Sequence, residues 1–572
     1  MSGITAILDI AARSLLAAQL GVEVSSNNVS NVNTPGYCRQ RVLLETTYPV
    51  VSDFGPLGRG VQVGGIERAF DPFITARLDE KTCTLSELKA RLEVLERLAS
   101  LFNETQNQGM NDILSSFWGA WGDLADNPAG SGERQALLQQ AVNLCQAFNL
   151  RADQLSRERL ALTQQIRPVL TQINDLSARI AGLTQEITET EANGKTANDL
   201  RDQRQLAIHQ LSQLVGVRCY TVGDGVVNVT LNNGLPLVQG IMAFELDFHI
   251  TPADTVAVLW KGPGGVEENI TGELSGGKLA GLVQGRDQII PRYQEMLDNL
   301  ARDMIFAVNA RHSQGVGLRF FSDATGAYAV NGAADPLNAA GLPFGDRITT
   351  GSFQIHVDRD GAHLASGTIN VTPTMTLNDL VNAINTHAAI GPYVTASIDG
   401  NRLKIDANLA SDSFAFAQDT SNLLASLGVN TFFTGDKAYT LAVNPWVSES
   451  PDLIAAGLID PLTGAHAVGD NRNALLLADL EDAAVTADGR TIGQALLQMV
   501  TDLGLQTEQT GRNRQFFQDL VEQLTRLRDS VSAVSLDEEM TNLIKFQRAY
   551  QAAARLVTVA EEMYRTLLTL KQ

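Results

Sequence analysis

Each end of the chain carries a sparse apolar stripe that the segment bearing it cannot bury by itself. At the front, Ile4, Leu8, Ala11, Leu15, Ala18, Val22, Ser25, Val29 and Val32 recur at alternating steps of four and three. At the back, Leu536, Met540, Leu543, Phe546, Tyr550, Ala553, Val557, Ala560, Tyr564 and Leu567 do the same, with the step of three once repeated. That spacing lays one narrow seam along one face of a helix, as in a coiled coil. So narrow a stripe does not close a globular core, and a lone helix gains little in water. The two ends are therefore expected to pair with each other, with neighbouring copies, or both, which is how a self-assembling subunit is built.

The front seam runs into Asn27-Asn28-Val29-Ser30-Asn31-Val32-Asn33-Thr34-Pro35-Gly36-Tyr37. Pro35 supplies the fixed φ of a turn's second residue and Gly36 the positive φ of its third, so residues 34–37 are predicted to form a type II turn. The asparagines carry donors and acceptors without charge. That suits a crowded interface where a charge would be costly to desolvate. A frayed polar helix end uses the same residue types, and both readings stand at this point. The candidate assembly interface is Ile4, Leu8, Leu15, Val22, Asn27, Asn28, Asn31, Asn33, Pro35, Gly36 and Tyr37 at the front. Leu543, Phe546, Tyr550, Val557, Tyr564 and Leu567 complete it at the back.

Between the ends, the expected fold class is multi-domain α+β: terminal coiled-coil helices, a discontinuous helical-bundle domain, and inserted β-rich domains. With 572 residues, three or more domains are expected. Residues 42–66 read as extended and 70–102 as a helix with a stripe of Leu85, Leu88, Leu92, Leu95 and Leu98. Helices follow from about 110 to 214, broken at Asn127-Pro128 and near Gly194. From 217 to 260, short β-branched runs alternate with the turn signals Gly223-Asp224-Gly225 and Asn232-Asn233-Gly234. A helix is expected over about 279–310. A second β-rich unit has strands near 353–357, 368–371, 394–398 and 403–407, a helix near 377–387, and a turn at Asp399-Gly400-Asn401. The expected domains are 1–66 with 536–572 (terminal assembly region), 67–214 with 472–535 (helical frame), 215–344 and 345–440 (inserted β-rich domains) and 441–471 (return linker). The paired ends bracket the insert, so an elongated, discontinuous protein is expected.

A formal net charge of −21 argues against general affinity for nucleic acid or anionic membranes. Residues 541–572 are locally basic, with Lys545, Arg548, Arg555, Arg565 and Lys571 against Glu561 and Glu562. A solvated helix face with pairs such as Glu561–Arg565 explains this better than an acidic partner does. No uninterrupted apolar run reaches the roughly 18 residues of a membrane span, and Asp9 and Arg13 with no basic leader argue against a secretory signal. Cys38, Cys83, Cys145 and Cys219 are widely spaced without a CxxC, so free thiols in or near helices are expected, not disulfides or a metal site.

Chemistry is hard to find. Gly272-Glu273-Leu274-Ser275-Gly276-Gly277-Lys278 has P-loop spacing, but Leu279 stands where Ser or Thr must meet Mg²⁺. Asp358-Arg359-Asp360-Gly361 lacks the glutamate of an EF-hand loop, Ile369 standing at its twelfth position. His209, His249, His312, His356, His363, His387 and His466 show no ligand spacing, and His312 reads as a packing or capping residue. Glu538-Glu539 reads as a solvated helix face. Phe117, Trp118 and Trp121 read as helical core, and Phe516-Phe517 with Leu520, Leu524 and Leu527 as the packing face of a long helix. No enzyme activity, cofactor or metal is expected.

The run from Asn27 to Tyr37 resembles the N-terminal signature of the axial proteins of the bacterial flagellum. With residues 1–24 and Cys38-Arg39-Gln40-Arg41-Val42 it is similar to the FlgK family of hook-associated proteins. Residues 543–555 (Leu543-Ile544-Lys545-Phe546-Gln547-Arg548-Ala549-Tyr550-Gln551-Ala552-Ala553-Ala554-Arg555) resemble that family's C-terminal helix. Gly276-Gly277-Lys278-Leu279-Ala280-Gly281-Leu282, Arg286-Asp287-Gln288, Val308-Asn309 and His312 match internally, as does Gly469-Asp470-Asn471-Arg472-Asn473-Ala474. Cys38 departs from the small hydroxyl residue expected there. The resemblance implies a structural, secreted protein that leaves by type III export and forms a homo-oligomeric ring at the hook–filament junction. Terminal helices would line the export channel, ordering on assembly, and inserted domains would face outward. The implied partners are the flagellar hook protein, a second hook-associated protein, and a cytoplasmic export chaperone on the C-terminal helix. The alternatives are another axial protein such as the hook protein, or an outward-facing adhesin using the insert.

Overall fold

The computed structural model describes the chain except residues 1, 53–54, 103–108, 193, 224, 461–462 and 570–572. In chain order its helices are α1 (Ser2–Ser30), α2 (Pro72–Leu101), α3 (Met110–Asp126), α4 (Ser131–Glu191), α5 (Asn198–Leu214), α6 (Gly277–Gln284), α7 (Ile290–His312), α8 (Leu377–Asn385), α9 (Leu423–Leu427), α10 (Pro445–Glu449), α11 (Arg472–Ala478), α12 (Ile492–Ser532) and α13 (Leu536–Thr569). Small antiparallel sheets lie between them. The chain is multi-domain α+β with long terminal helices.

Two compact units form. The first contains Met1–Val94, Ala161–Asp287 and Glu508–Gln572, the second Leu95–Leu160 and Gln288–Thr507. Helices α2, α4 and α12 contribute residues to both. The expected terminal region lies wholly in the first unit, whereas the expected domain 215–344 is shared between them at residue 287.

In the first unit, α1 and α13 pack against each other, as the matched seams anticipate. Two contacts give their direction. Asn28 meets Glu539, and Gly21 meets Phe546, so seven residues back along α1 correspond to seven forward along α13. The helices are antiparallel and in heptad register. Gly21 is required by the approach: a Cβ there would sit 2.5 Å from Phe546 Cδ1. The strands Gln40–Thr46 and Val61–Arg68 pair as an antiparallel ribbon below the turn. Strands Val217–Val222 and Val226–Leu231 form the predicted hairpin, though Asp224 of its turn lies outside the described residues, as does Lys571 of the basic tail. Between α6 and α7 lies a π-helical turn, Gly285–Ile289, whose Arg286 is 3% exposed and is held by Asp254, Asp287 and Thr163.

The second unit is built around an aromatic core. Phe117 and Trp121 of α3 are fully buried against Phe432 and Phe433, and His312 packs on Trp121 and Phe432. The expected second β unit is present: Gly351–Arg359 pairs with Ala362–Val371 and with Asp412–Ala417. Strands Val394–Asp399 and Arg402–Ala407 join through Gly400-Asn401, both at positive φ (+56° and +62°), as a two-residue primed hairpin requires. Helix α8 begins at a capping box, Thr376 with Asp379.

Three expectations change in detail. Phe516 and Leu527 of α12 are exposed (63% and 49%), and only Leu524 of that group is buried. Cys219 lies on a strand and is exposed, unlike buried Cys38, Cys83 and Cys145; all four thiols are free. Residues Gly3–Ser30 of α1 are long and apolar enough to cross a membrane by length and composition, although no uninterrupted apolar run is present.

Candidate assembly interface

The N-terminal signature is a folded hydrogen-bonded unit. Tyr37 N–H donates to Thr34 C=O (3.2 Å) and Gly36 has φ +80°, closing the predicted turn. Asn28 at the end of α1 is fully buried and uses all its bonding capacity. Its Oδ1 accepts from Gln40 N–H (2.9 Å) and Tyr37 OH (2.8 Å), and its Nδ2 donates to Gln40 C=O (2.9 Å) and Glu539 Oε2 (3.1 Å). An amide alone among the side chains can mimic a strand neighbour in this way. Asn27 Nδ2 donates to Tyr37 OH (3.3 Å), and Asn31 Nδ2 donates back to Asn27 O (3.0 Å) and Oδ1 (2.9 Å). The asparagine run is therefore an ordered cap, not a frayed end. Asn33 and Pro35 stay exposed.

Beyond the turn, Arg39 ties the front of the chain to its last helix. Its Nε donates to Glu539 Oε1 at 2.6 Å and its Nη1 to Glu538 Oε2 at 2.5 Å. Its backbone N–H donates to Ser532 C=O at 2.9 Å. Glu539 is 2% exposed, so the reading of Glu538-Glu539 as a solvated face is corrected: a buried guanidinium draws Glu539 inward, and Glu538 pairs with it from the rim. Gln40 Nε2 donates to Asp199 Oδ1 (2.7 Å). Asp202 accepts from Cys38 N–H (2.9 Å) and Arg68 Nη1 (2.7 Å). Burial pushes the Cys38 thiol up to about 12, with Asp202 adding to the effect. Burial likewise raises the Asp202 carboxyl, opposed by the Cys38 N–H and Arg68. Tyr37 is raised by burial and then by Asp199. A thiol held protonated at this place is a packing group, not a nucleophile.

The apolar half of the candidate site divides. Ile4, Leu8, Leu15 and Val22 are half-buried, whereas Ala11, Ala18, Gly21, Ser25 and Asn28 are buried. The seam is thus a row of small side chains on α1 that lets α13 approach closely. On α13, Ala553 and Ala560 are buried, and Leu543, Phe546 and Val557 half-buried. Tyr550, Tyr564 and Leu567 are exposed (44–49%). The antiparallel register explains Leu567, which falls past Ser2, the first residue of α1. Other apolar residues of α13 on either flank of the seam, Met540 and Ile544 on one side and Leu556, Val559 and Met563 on the other, are also exposed at 45–51%.

Sequence reasoning missed Arg39, Gln40, Glu539 and Asp202 as interface residues. The signal available was the charged and amide run immediately after the turn, together with the acidic first turn of the last helix.

Comparison with known proteins bears on this arrangement. Residues 95–327 match the helical domain of the flagellar hook-associated protein FlgK, residues 8–37 the flagella basal body rod protein family, and residues 528–570 the C-terminal region of the flagellar basal body rod FlgEFG proteins. Flagellar hook-associated protein 1 of Salmonella typhimurium is 28% identical over 584 residues, covering 99% of this chain and 100% of the relative. That of Escherichia coli is 27% identical over 587 residues (99% and 100%), and that of Bacillus subtilis 26% over 569 (97% and 96%). The fold is similar to the flagellar hook junction protein FlgK of Burkholderia pseudomallei, with a TM-score of 0.53, 21% identity, and 80% of this chain covering 100% of that one. With the rod-type signatures at the paired termini and the FlgK helical domain between them, the chain is similar over nearly its whole length to the FlgK family of flagellar hook-associated proteins.

Proposed function

We propose that this protein is the structural piece joining hook to filament in a bacterial flagellum, self-assembling through its terminal helices after type III export. One observation carries the reading. The chain's two ends are locked to each other by Asn28, Arg39 and Glu539, while apolar side chains on both flanks of the α13 seam remain uncovered within a single copy. Apolar side chains exposed on both flanks of a paired helix suit further copies packing on either side into a closed ring. The interface comprises the residues named above at both ends, with Arg39 and Glu539 added. The neighbours are hook protein on one side and a second hook-associated protein on the other. A cytoplasmic chaperone covers α13 before export, and the protein works outside the cell. The role is architectural, without catalysis, cofactor or nucleic acid. Residues 1–66 with 536–572, 67–214 with 472–535, 215–344, 345–440 and 441–471 remain the proposed domain limits.

Deletion of the gene tests this. Intact hooks lacking filaments, with flagellin shed as monomer and restored by the wild-type gene, are the expected outcome. Loss of the hooks themselves would make it a hook or rod component, and normal filaments would remove the junction role.

A further inference from the structure

We propose that the outer edge of the strand Ala362–Val371 pairs antiparallel with the same edge of a second copy of this chain, Thr368 standing opposite Thr368. The strand has 10 residues and borders a three-stranded sheet. Gly351–Arg359 is the central strand of that sheet and Asp412–Ala417 its other border.

Elsewhere the chain closes its sheet borders. Four asparagine amides each accept from the N–H and donate to the C=O of one border residue, as a neighbouring strand would. Asn28 does so to Gln40 (2.9 and 2.9 Å), Asn174 to Leu246 (2.8 and 2.9 Å), Asn309 to Phe433 (2.9 and 2.9 Å) and Asn385 to Ala396 (2.7 and 2.8 Å). Phe321 closes the far border of this sheet by exchanging both backbone hydrogen bonds with Phe414, each at 2.8 Å. Borders without such a bond are short or charged: Val217–Val222 carries Arg218, and Val61–Arg68 ends in Glu67 and Arg68. Short length and charge are the usual protections of an edge. Residues 365–371 have none of these. Ala365-Ser366-Gly367-Thr368-Ile369-Asn370-Val371 contains no charge and no proline. Among the described residues, no backbone group of 362–371 bonds outside its pairing with Gly351–Arg359. The register shift of that pairing lies at Val357/Asp358, so 365–371 form a regular edge.

Register and charge name the occupant. Gly367, Ile369 and Val371 point to the buried face of the sheet, and Thr368 and Asn370 are exposed. A twofold axis through Thr368 sets Gly367 against Ile369 and Ala365 against Val371 on the first face. On the second it sets Thr368 against Thr368 and Ser366 against Asn370. Each face thus keeps its own residues, which a slip of one position would undo. Hydroxyl and amide side chains opposite one another across two strands can hydrogen-bond. The contact also brings no charges together, in a chain whose net charge of −21 makes its copies repel. Each edge supplies the strand that the other lacks, so the two sheets become continuous. So few paired residues make a small contact, and the association is weak and reversible.

Sedimentation of the full chain over a concentration series, with hydrogen exchange read at residues 365–371, tests this. Exchange of those amides should slow as concentration rises. Thr368→Lys and Thr368→Glu change an exposed side chain and place like charges opposite each other. Each should weaken the association about fivefold, and an equal mixture of the two should restore it. Association through the terminal helices would instead protect α13 and ignore the charge at 368, so the two contacts are read apart. Exchange at 365–371 that does not change with concentration, single variants that associate as wild type does, or a mixture no better than either variant alone would each overturn the proposal.

Discussion

Removing Glu539 should loosen both ends of the chain at once. Glu539→Leu deletes the acceptor for Arg39 Nε at 2.6 Å and for Asn28 Nδ2 at 3.1 Å. The Arg39 side chain, 11% exposed, is then left with Glu538, which is 62% exposed. Breaking one side of a buried ion pair costs about 3–5 kcal/mol. Arg39 keeps its rim partner, which places the loss near the low end, about 3 kcal/mol, and the orphaned Asn28 amide adds about 1 kcal/mol. Arg39→Met should cost a similar amount, because it strands Glu539. The double variant removes both charges together and should cost less than about 1.5 kcal/mol, so the coupling is at least about 2 kcal/mol. Hydrogen exchange of the α1 and α13 amides reads this directly. Each single variant should speed exchange in both helices up to about a thousandfold, and the double variant far less. Single variants within about 0.5 kcal/mol of wild type, or strictly additive losses, would refute the lock.

Three further outcomes follow from other parts of the fold. His312 is neutral in the folded state: its Nδ1–H donates to Asn430 C=O (2.8 Å) and its Nε2 accepts from Ala455 N–H (3.0 Å), and burial lowers it from 6.5 to about 4. The unfolded chain gains a proton below 6.5 that the folded chain refuses, so stability is full above that pH and falls by about 3 kcal/mol towards pH 4. Urea titrations at pH 7 and pH 4.5 should show this, and His312→Gln should flatten the slope. Gly21→Leu should cost about 1–3 kcal/mol by driving α1 off the Phe546 ring, with Phe546→Ala recovering part of it in a thermal melt. Arg134, 1% exposed, spends its donors on the carbonyls of Pro128, Pro451 and Ile454. Arg134→Met should lower the melting midpoint by leaving those carbonyls unmet, a loss of about 2–4 kcal/mol.

Local signals in the chain were readable because local physics decides them. The Pro35-Gly36 turn and the Gly400-Asn401 hairpin each need particular residues at particular φ, and each forms where the residue types place it. The seams were legible as periodicity, but the periodicity did not say which of their residues bury most. The structure buries Ala11, Ala18, Gly21 and Ser25, because antiparallel helices at close approach favour small residues and leave longer ones at the edges. The Arg39–Glu539 lock was invisible for a different reason. Its partners stand 500 positions apart, and an acidic pair in a helix's first turn is normally stabilised by the helix dipole alone.

Immunogold labelling of purified hook–filament particles, using antibody against the second unit, tests the junction role most directly. The account predicts a single band of label at the boundary between hook and filament. Label spread along the hook or along the filament would contradict it.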